Sequence, residues 1–125
     1  MAMGHDDSLS GKRILIVEDN FLVAEELCQI VRDAHGEARN ACASSHAALD
    51  ALTEGQFDGA LLDVQLQNSS SVEVARELAA RHIPFVVVSG YSRDWLAPEL
   101  RNAPYLAKPF NREELVELAS RHFRP

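Results

Sequence analysis

Arg13-Ile14-Leu15-Ile16-Val17-Glu18-Asp19-Asn20 is the stretch that decides the fold. It opens with a continuous aliphatic run of the kind expected for a parallel strand buried on both faces. The run stops at two adjacent carboxylates, and Asn20 is suited to cap a following helix. In that helix Val23, Leu27, Ile30, Val31 and Ala34 recur at spacings of three and four, and it ends near Gly36. Strand, acidic turn and amphipathic helix make half of a crossover unit, the repeating element of a parallel sheet covered by helices on both faces.

Working outward, the same unit recurs to give five strand and helix pairs. The second strand, about 38–42, has small apolar residues interrupted by Asn40, and is placed by analogy with its neighbours. Ser44 or Ser45 then caps a helix to about residue 53, which Gly55 closes. The third strand, 59–62, delivers Asp63 at its end. A polar loop over 65–70 precedes a helix running to about 81, with a capping-box pattern in Ser70 and Glu73. Residues 84–88 form the fourth strand, followed by the turn Ser89-Gly90-Tyr91. The helix over 94–101 should be short and kinked by Pro98, since proline removes a donor and clashes with the preceding turn. Residues 105–107 form a brief fifth strand, Lys108-Pro109-Phe110 a turn, and Asn111 with Glu114 opens the last helix.

With 125 residues the chain suits one domain, expected over 12–125 behind a flexible N-terminal tail at 1–11. His5 in that tail is no ligand candidate, and the five histidines lack ligand spacing. A net charge of −7 repels phosphate backbones, which argues against DNA or RNA as a direct partner. No apolar run approaches a membrane span and the polar start lacks a signal-peptide core, so a cytoplasmic location is expected. Cys28 and Cys42 read as buried thiols without chemistry.

In open parallel sheets the site lies at the carboxyl ends of the strands. Glu18 and Asp19 follow strand one, Asp63 strand three, Ser89 strand four and Lys108 strand five. Clustered carboxylates repel unless a cation is present, and Mg²⁺ takes one or two of them with waters and phosphate oxygens. With the metal bound, Asp63 can attack phosphorus to give an acyl phosphate. The Lys108 ammonium and the Ser89 hydroxyl suit the phosphoryl oxygens.

The ordered set Glu18-Asp19, Leu61-Leu62-Asp63-Val64, Val88-Ser89-Gly90 and Lys108-Pro109-Phe110 resembles the response-regulator receiver family of two-component signalling, over about 13–123. The resemblance implies a flavodoxin-like (βα)5 fold with a five-stranded parallel sheet in the order 2-1-3-4-5. It implies Asp63 as phosphoacceptor, Glu18 and Asp19 as the acid pocket, and the Gln65 backbone carbonyl as a further Mg²⁺ ligand. Ser89 and Lys108 are then switch residues, and Tyr105 matches the aromatic switch position. Val87-Val88-Ser89-Gly90-Tyr91 is also similar to the Phe-Ala-Thr-Gly-Tyr-like stretch of a subgroup of often stand-alone receivers, which makes Tyr91 a second switch candidate. The loop after Asp63, including Gln67 to Ser71, departs from the proline and glycine common in the family.

The expected function is a switch: a histidine kinase or phosphotransfer protein phosphorylates Asp63, and a shape change alters binding to a downstream protein. Nothing follows the last helix, so a stand-alone regulator or an excised receiver is expected, as a monomer or weak dimer and not a conventional turnover enzyme. Trp95 and Leu96 read as core or as a partner surface, with the surface favoured. The competing reading is an interaction module that needs no phosphorylation. A haloacid-dehalogenase-type phosphatase would need an aspartate where Gln65 stands, and a flavodoxin-like cofactor carrier would be repelled by Glu18-Asp19-Asn20.

Overall fold

The computed structural model describes residues 7–66 and 69–124. Four parallel strands form its sheet: β1 (Ile14–Val17), β2 (Gly59–Asp63), β5 (Phe85–Ser89) and β6 (Tyr105–Ala107), side by side in that order. They are the expected first, third, fourth and fifth strands. β3 (Gln65–Leu66) and β4 (Ser69–Ser70) form a small antiparallel pair in what was expected to be plain loop. Residues 67 and 68 of the unusual loop lie outside the described residues.

Alternation along each strand sorts the core into two layers. Ile14, Ile16, Leu61, Val86, Val88 and Leu106 face α1 (Phe21–Asp33) and α5 (Arg112–His122). Leu15, Val17, Leu62 and Val87 face α2 (Ser45–Glu54), α3 (Ser71–Ala80) and α4 (Pro98–Arg101). The side-chain caps fall where the sequence put them: Asn20 accepts from the Val23 N–H, Ser44 from Ala47, Ser70 from Val72 and Asn111 from Glu114. Each supplies a partner to an amide that the helix itself leaves unpaired.

Three expectations are corrected. The second strand is absent as a continuous element, and residues 37–42 pair with the β1 segment only at two isolated bridges, Arg13 opposite Glu37 and Val17 opposite Cys42. From Glu37 to Cys42 is one residue step more than from Arg13 to Val17, so the pairing cannot stay in step. Ile14 N–H donates to the Glu37 carbonyl at 2.9 Å and Cys42 N–H to Ile16 at 2.8 Å, with the excess residue accommodated between. A cavity of about 210 Å³ opens there, lined by Leu15, Arg39, Asn40, Cys42, Ala51 and Phe57 among others.

Pro98 does not kink a helix. A 3-10 turn at Arg93–Trp95 ends first, and Pro98 stands at the first position of α4, where its missing N–H has no partner to lose. The flexible tail expected at 1–11 is also wrong for residues 7–11. Leu9 is fully buried in the α1 and α5 layer, its N–H donates to the Ala34 carbonyl at 3.1 Å, and Asp7 pairs with His35. Residues 1–6, with His5, lie outside the described residues.

At the far end of the chain Phe123 plugs the base of the sheet. A Cβ at residue 59 would come within 2.2–2.5 Å of its ring, so glycine is required at the start of β2 for the ring to lie there. No helix among the described residues is long and apolar enough to cross a membrane.

Candidate functional site

Register brings the site together. β1 and β2 align Val17 with Leu62, β2 and β5 align Asp63 with Val88, and β5 and β6 align Ser89 with Ala107. The residues at the ends of four neighbouring strands therefore meet at one edge of the sheet. Glu18, Asp19 and Asp63 each offer a carboxylate oxygen within 4.8 Å of the others. Glu18 and Asp63 are buried, and Asp19 is half-buried.

Lys108 reaches into this cluster from the turn after β6. Its own N–H donates to the Ser89 carbonyl at 2.8 Å, which fixes the start of the turn, and the Lys108–Pro109 bond is cis. The Lys108 Nζ lies 3.1 Å from Glu18 Oε1 and 3.2 Å from Asp63 Oδ1. One ammonium thus serves two buried carboxylates while Asp19 stands beside them. The backbone N–H of Asn20 also donates to Glu18 Oε2, at 3.2 Å.

Burial raises the Asp63 carboxyl to about 6, and the neighbouring Glu18 charge adds to the rise. The Lys108 charge and hydrogen bond and the Gln65 backbone N–H pull the other way without cancelling it. For Lys108, burial pulls its pKa down, but the hydrogen bond to Glu18 and the charges of Asp63 and Glu18 outweigh it, so the ammonium is held more firmly than usual. The site is a buried anionic pocket short of positive charge, suited to a hard cation and a phosphoryl group.

At the end of β5 the hydroxyls of Ser89, Tyr91 and Tyr105 share one set of hydrogen bonds. Ser89 Oγ accepts from the Tyr91 N–H at 2.9 Å and lies 3.4 Å from the Tyr91 carbonyl, to which its O–H points. The Tyr105 hydroxyl donates to that same carbonyl. Gln65 Nε2 donates to the Tyr91 hydroxyl at 2.7 Å, joining the loop after β2 to the loop after β5. Both tyrosines proposed from the sequence are therefore attached to one peptide group beside Ser89. The sequence reading missed two participants. The Gln65 side chain had no local signal, because its partner is 26 residues away. Arg93, whose guanidinium carbon lies 5.3 Å from the centre of the Tyr105 ring, could have been suspected only as a cation near an aromatic. Trp95 and Leu96 divide the expectation made for them: Trp95 is 83% exposed and Leu96 is buried in the α2 and α3 layer.

An acid pocket with a half-buried lysine stands at the carboxyl edge of a parallel α/β sheet. The chain belongs to the response regulator receiver domain family, which matches it over residues 14–120. Among curated relatives it is 29% identical to the transcriptional regulatory protein PdtaR of Mycobacterium tuberculosis over 94% of its own length. It spans only 61% of PdtaR, about three fifths of that protein. Among solved structures, SdrG from Sphingomonas melonis Fr1 is similar at 36% identity and a TM-score of 0.76, covering 90% of this chain and 96% of that one. TrrA from Thermotoga maritima, a response regulator solved in complex with Mg²⁺-BeF, is similar at 26% identity and a TM-score of 0.78, with 88% and 97% covered.

Proposed function

We propose that the chain is a phosphorylation switch that takes a phosphoryl group from a histidine kinase or phosphotransfer protein onto Asp63 and signals to a downstream protein. The observation that carries this reading is the Lys108 ammonium, 3.1 Å from Glu18 and 3.2 Å from Asp63 in a pocket of three carboxylates. Mg²⁺ fits that donor set, because hard carboxylate oxygens this close repel until a cation divides them. Glu18, Asp19 and Asp63 would hold it, with the Gln65 backbone carbonyl as the further ligand that family resemblance implies. When bound, the ion supplies charge neutralisation for the incoming phosphoryl oxygens.

An Asp63 carboxylate oxygen attacks phosphorus, the phosphorus–nitrogen bond of the donor phosphohistidine breaks, and the imidazole leaves with the bonding pair. Lys108 exchanges a carboxylate partner for a phosphoryl oxygen, which it can do without leaving the pocket. Ser89 turns its O–H from the Tyr91 carbonyl toward another phosphoryl oxygen. That turn is felt by the Tyr91 peptide and hence by the Tyr105 hydroxyl bonded to it. Ser89, Tyr91 and Tyr105 are in this reading the switch, acting in a cytoplasmic protein whose only chemistry is gain and loss of its own phosphoryl group.

The test is incubation with Mg²⁺ and acetyl phosphate, followed by intact mass. A gain of one phosphoryl group is expected, absent without Mg²⁺ and absent in Asp63→Asn. A wild-type protein that gains nothing from acetyl phosphate or from phosphohistidine donors would overturn the reading.

A further inference from the structure

We infer that the cavity beside β1 is a binding site for a free dipeptide with an apolar second residue, which completes the rung that residues 38–41 leave open. In a parallel ladder kept in step, the N–H and C=O of Arg39 would serve the Ile14 carbonyl and the Ile16 N–H, which leave β1 on the same side. Here they do not. Among the described residues neither the Ile14 carbonyl nor the Ile16 N–H has a hydrogen-bond partner, although both residues are only 2% exposed. Buried backbone groups are nearly always paired, so an open donor and acceptor on a cavity wall point to a group that binds there.

The backbone that should cover this edge is held toward α1. Arg32 Nε donates to the Ala38 carbonyl at 2.9 Å, and the Arg39 carbonyl accepts from Arg32 Nη2 and Cys28 Sγ, each at 3.4 Å. Ile14, Leu15 and Ile16 therefore line the cavity directly. Its volume of about 210 Å³ lies below the roughly 300 Å³ at which pockets for drug-sized ligands begin, so the occupant is small.

The edge itself selects a peptide. One acceptor followed by one donor along β1 matches the N–H and C=O of a single amino-acid residue, as when an extended chain adds to a sheet. A residue placed there stands opposite Leu15, and its side chain points to the same face as that of Leu15. On that face Cys42, Ala51 and Phe57 also line the cavity and give it an apolar wall. The rim carries both signs of charge, as a molecule with two free termini requires. A ligand running parallel to β1 has its ammonium toward Arg13, where Glu37 stands opposite and Glu54 lines the same cavity. Its carboxylate lies further along, at the level of Ile16 and beside Arg39. The second residue then donates its N–H to the Ile14 carbonyl, and a carboxylate oxygen accepts from the Ile16 N–H.

The probe is glycyl-valine, titrated into isotope-labelled protein without Mg²⁺ or phosphodonor while the Ile16 amide is followed by NMR. Saturable displacement of that resonance is expected, half-complete at or below about 1 mM, with slower exchange of its proton. Valyl-glycine has the same atoms with the side chain on the wrong residue. Glycyl-N-methylvaline lacks the N–H for the Ile14 carbonyl. Each should bind at least about fivefold more weakly. Deleting Asn40 restores the step and lets the chain's own backbone take the rung, so the folded deletion protein should not bind. Arg39→Gln changes only an exposed side chain and decides the matter if the deletion does not fold; it should weaken glycyl-valine about five- to tenfold. No saturable binding by about 10 mM, equal binding of the three dipeptides, or unchanged affinity in Arg39→Gln or in the folded deletion protein would overturn the inference. The phosphorylation reading stands or falls separately, because none of these residues belongs to that site.

Discussion

On one flank β1 meets β2 residue for residue, from Ile14 opposite Gly59 to Val17 opposite Leu62; on the other it meets residues 37–42 only at its two ends. The continuous flank leads to the chemistry. A slip of one residue between β2 and its neighbours would turn Asp63 to the opposite face and separate it from Lys108. The interrupted flank absorbs an extra residue over 38–41 and then recovers, because the Cys42 carbonyl still takes the Glu18 N–H at 2.9 Å. Irregularity is tolerated at the sheet edge so long as the backbone at Glu18 stays in place.

The comparison can be broken most forcefully at its ordered side. Lys108→Ala leaves Glu18 and Asp63 buried without their shared cation, and it removes the ammonium expected on the phosphoryl oxygens. The rate of phosphoryl gain from acetyl phosphate should fall about 100-fold, the size typical for loss of one preorganised charge-stabilising group. A loss under about threefold would mean that the centre of the sheet is not where the charge is managed.

A smaller effect of opposite sign is expected for stability. The Asp63 carboxyl is raised from 3.8 to about 6 by burial and by Glu18, so folding binds a proton that the unfolded chain has already released. The cost of keeping Asp63 ionised is complete above pH about 6 and absent below about 4. Asp63→Asn should accordingly stabilise the metal-free protein by about 1–2 kcal/mol at pH 7.5, once the lost Lys108 interaction is counted, with the gain fading as pH falls through that window. Urea unfolding of both proteins from pH 4.5 to 8 checks it; a gain that is flat with pH would mean that the ionised Asp63 carboxylate is not its source.

The smallest effect belongs to the edge. Deleting Asn40 removes the surplus step between Glu37 and Cys42, so that a continuous strand can pair with β1. Stability should change by less than about 1 kcal/mol, while exchange of the Ile16 amide should slow as it gains a ladder partner. A cost of several kcal/mol would show that the irregular edge is as exacting as the centre.

This contrast also explains what the sequence made legible. The run 13–17 announced a buried parallel strand, the caps at Asn20, at Ser44 or Ser45, at Ser70 and at Asn111 marked helix starts, and the carboxyl-edge rule gathered Glu18, Asp19, Asp63, Ser89 and Lys108 before any distance was known. Each signal is local, or follows from topology alone. Register is neither, and nothing in the small residues of 38–42 counts steps against β1. Leu9 stands alone in a polar stretch with no periodicity to betray its burial, and the position of Pro98 depended on where the preceding turn ended. The bond between Gln65 and Tyr91 needs two loops placed in space.

The packing of Leu9 and Phe123 bears on where the folded unit can be cut or joined. The family match runs from residue 14 to residue 120, yet both of these buried side chains lie outside it, and both belong to the layer formed by α1 and α5. A fragment trimmed to the matched span would leave the space beside Gly59 open, where the Phe123 ring now fits, and would uncover the end of α1 that Leu9 covers. Removing a buried phenylalanine alone typically costs about 3–5 kcal/mol, a large share of the stability of a small domain. Tags, fusion joints and transplants of this receiver into other proteins therefore belong outside residues 9 to 123.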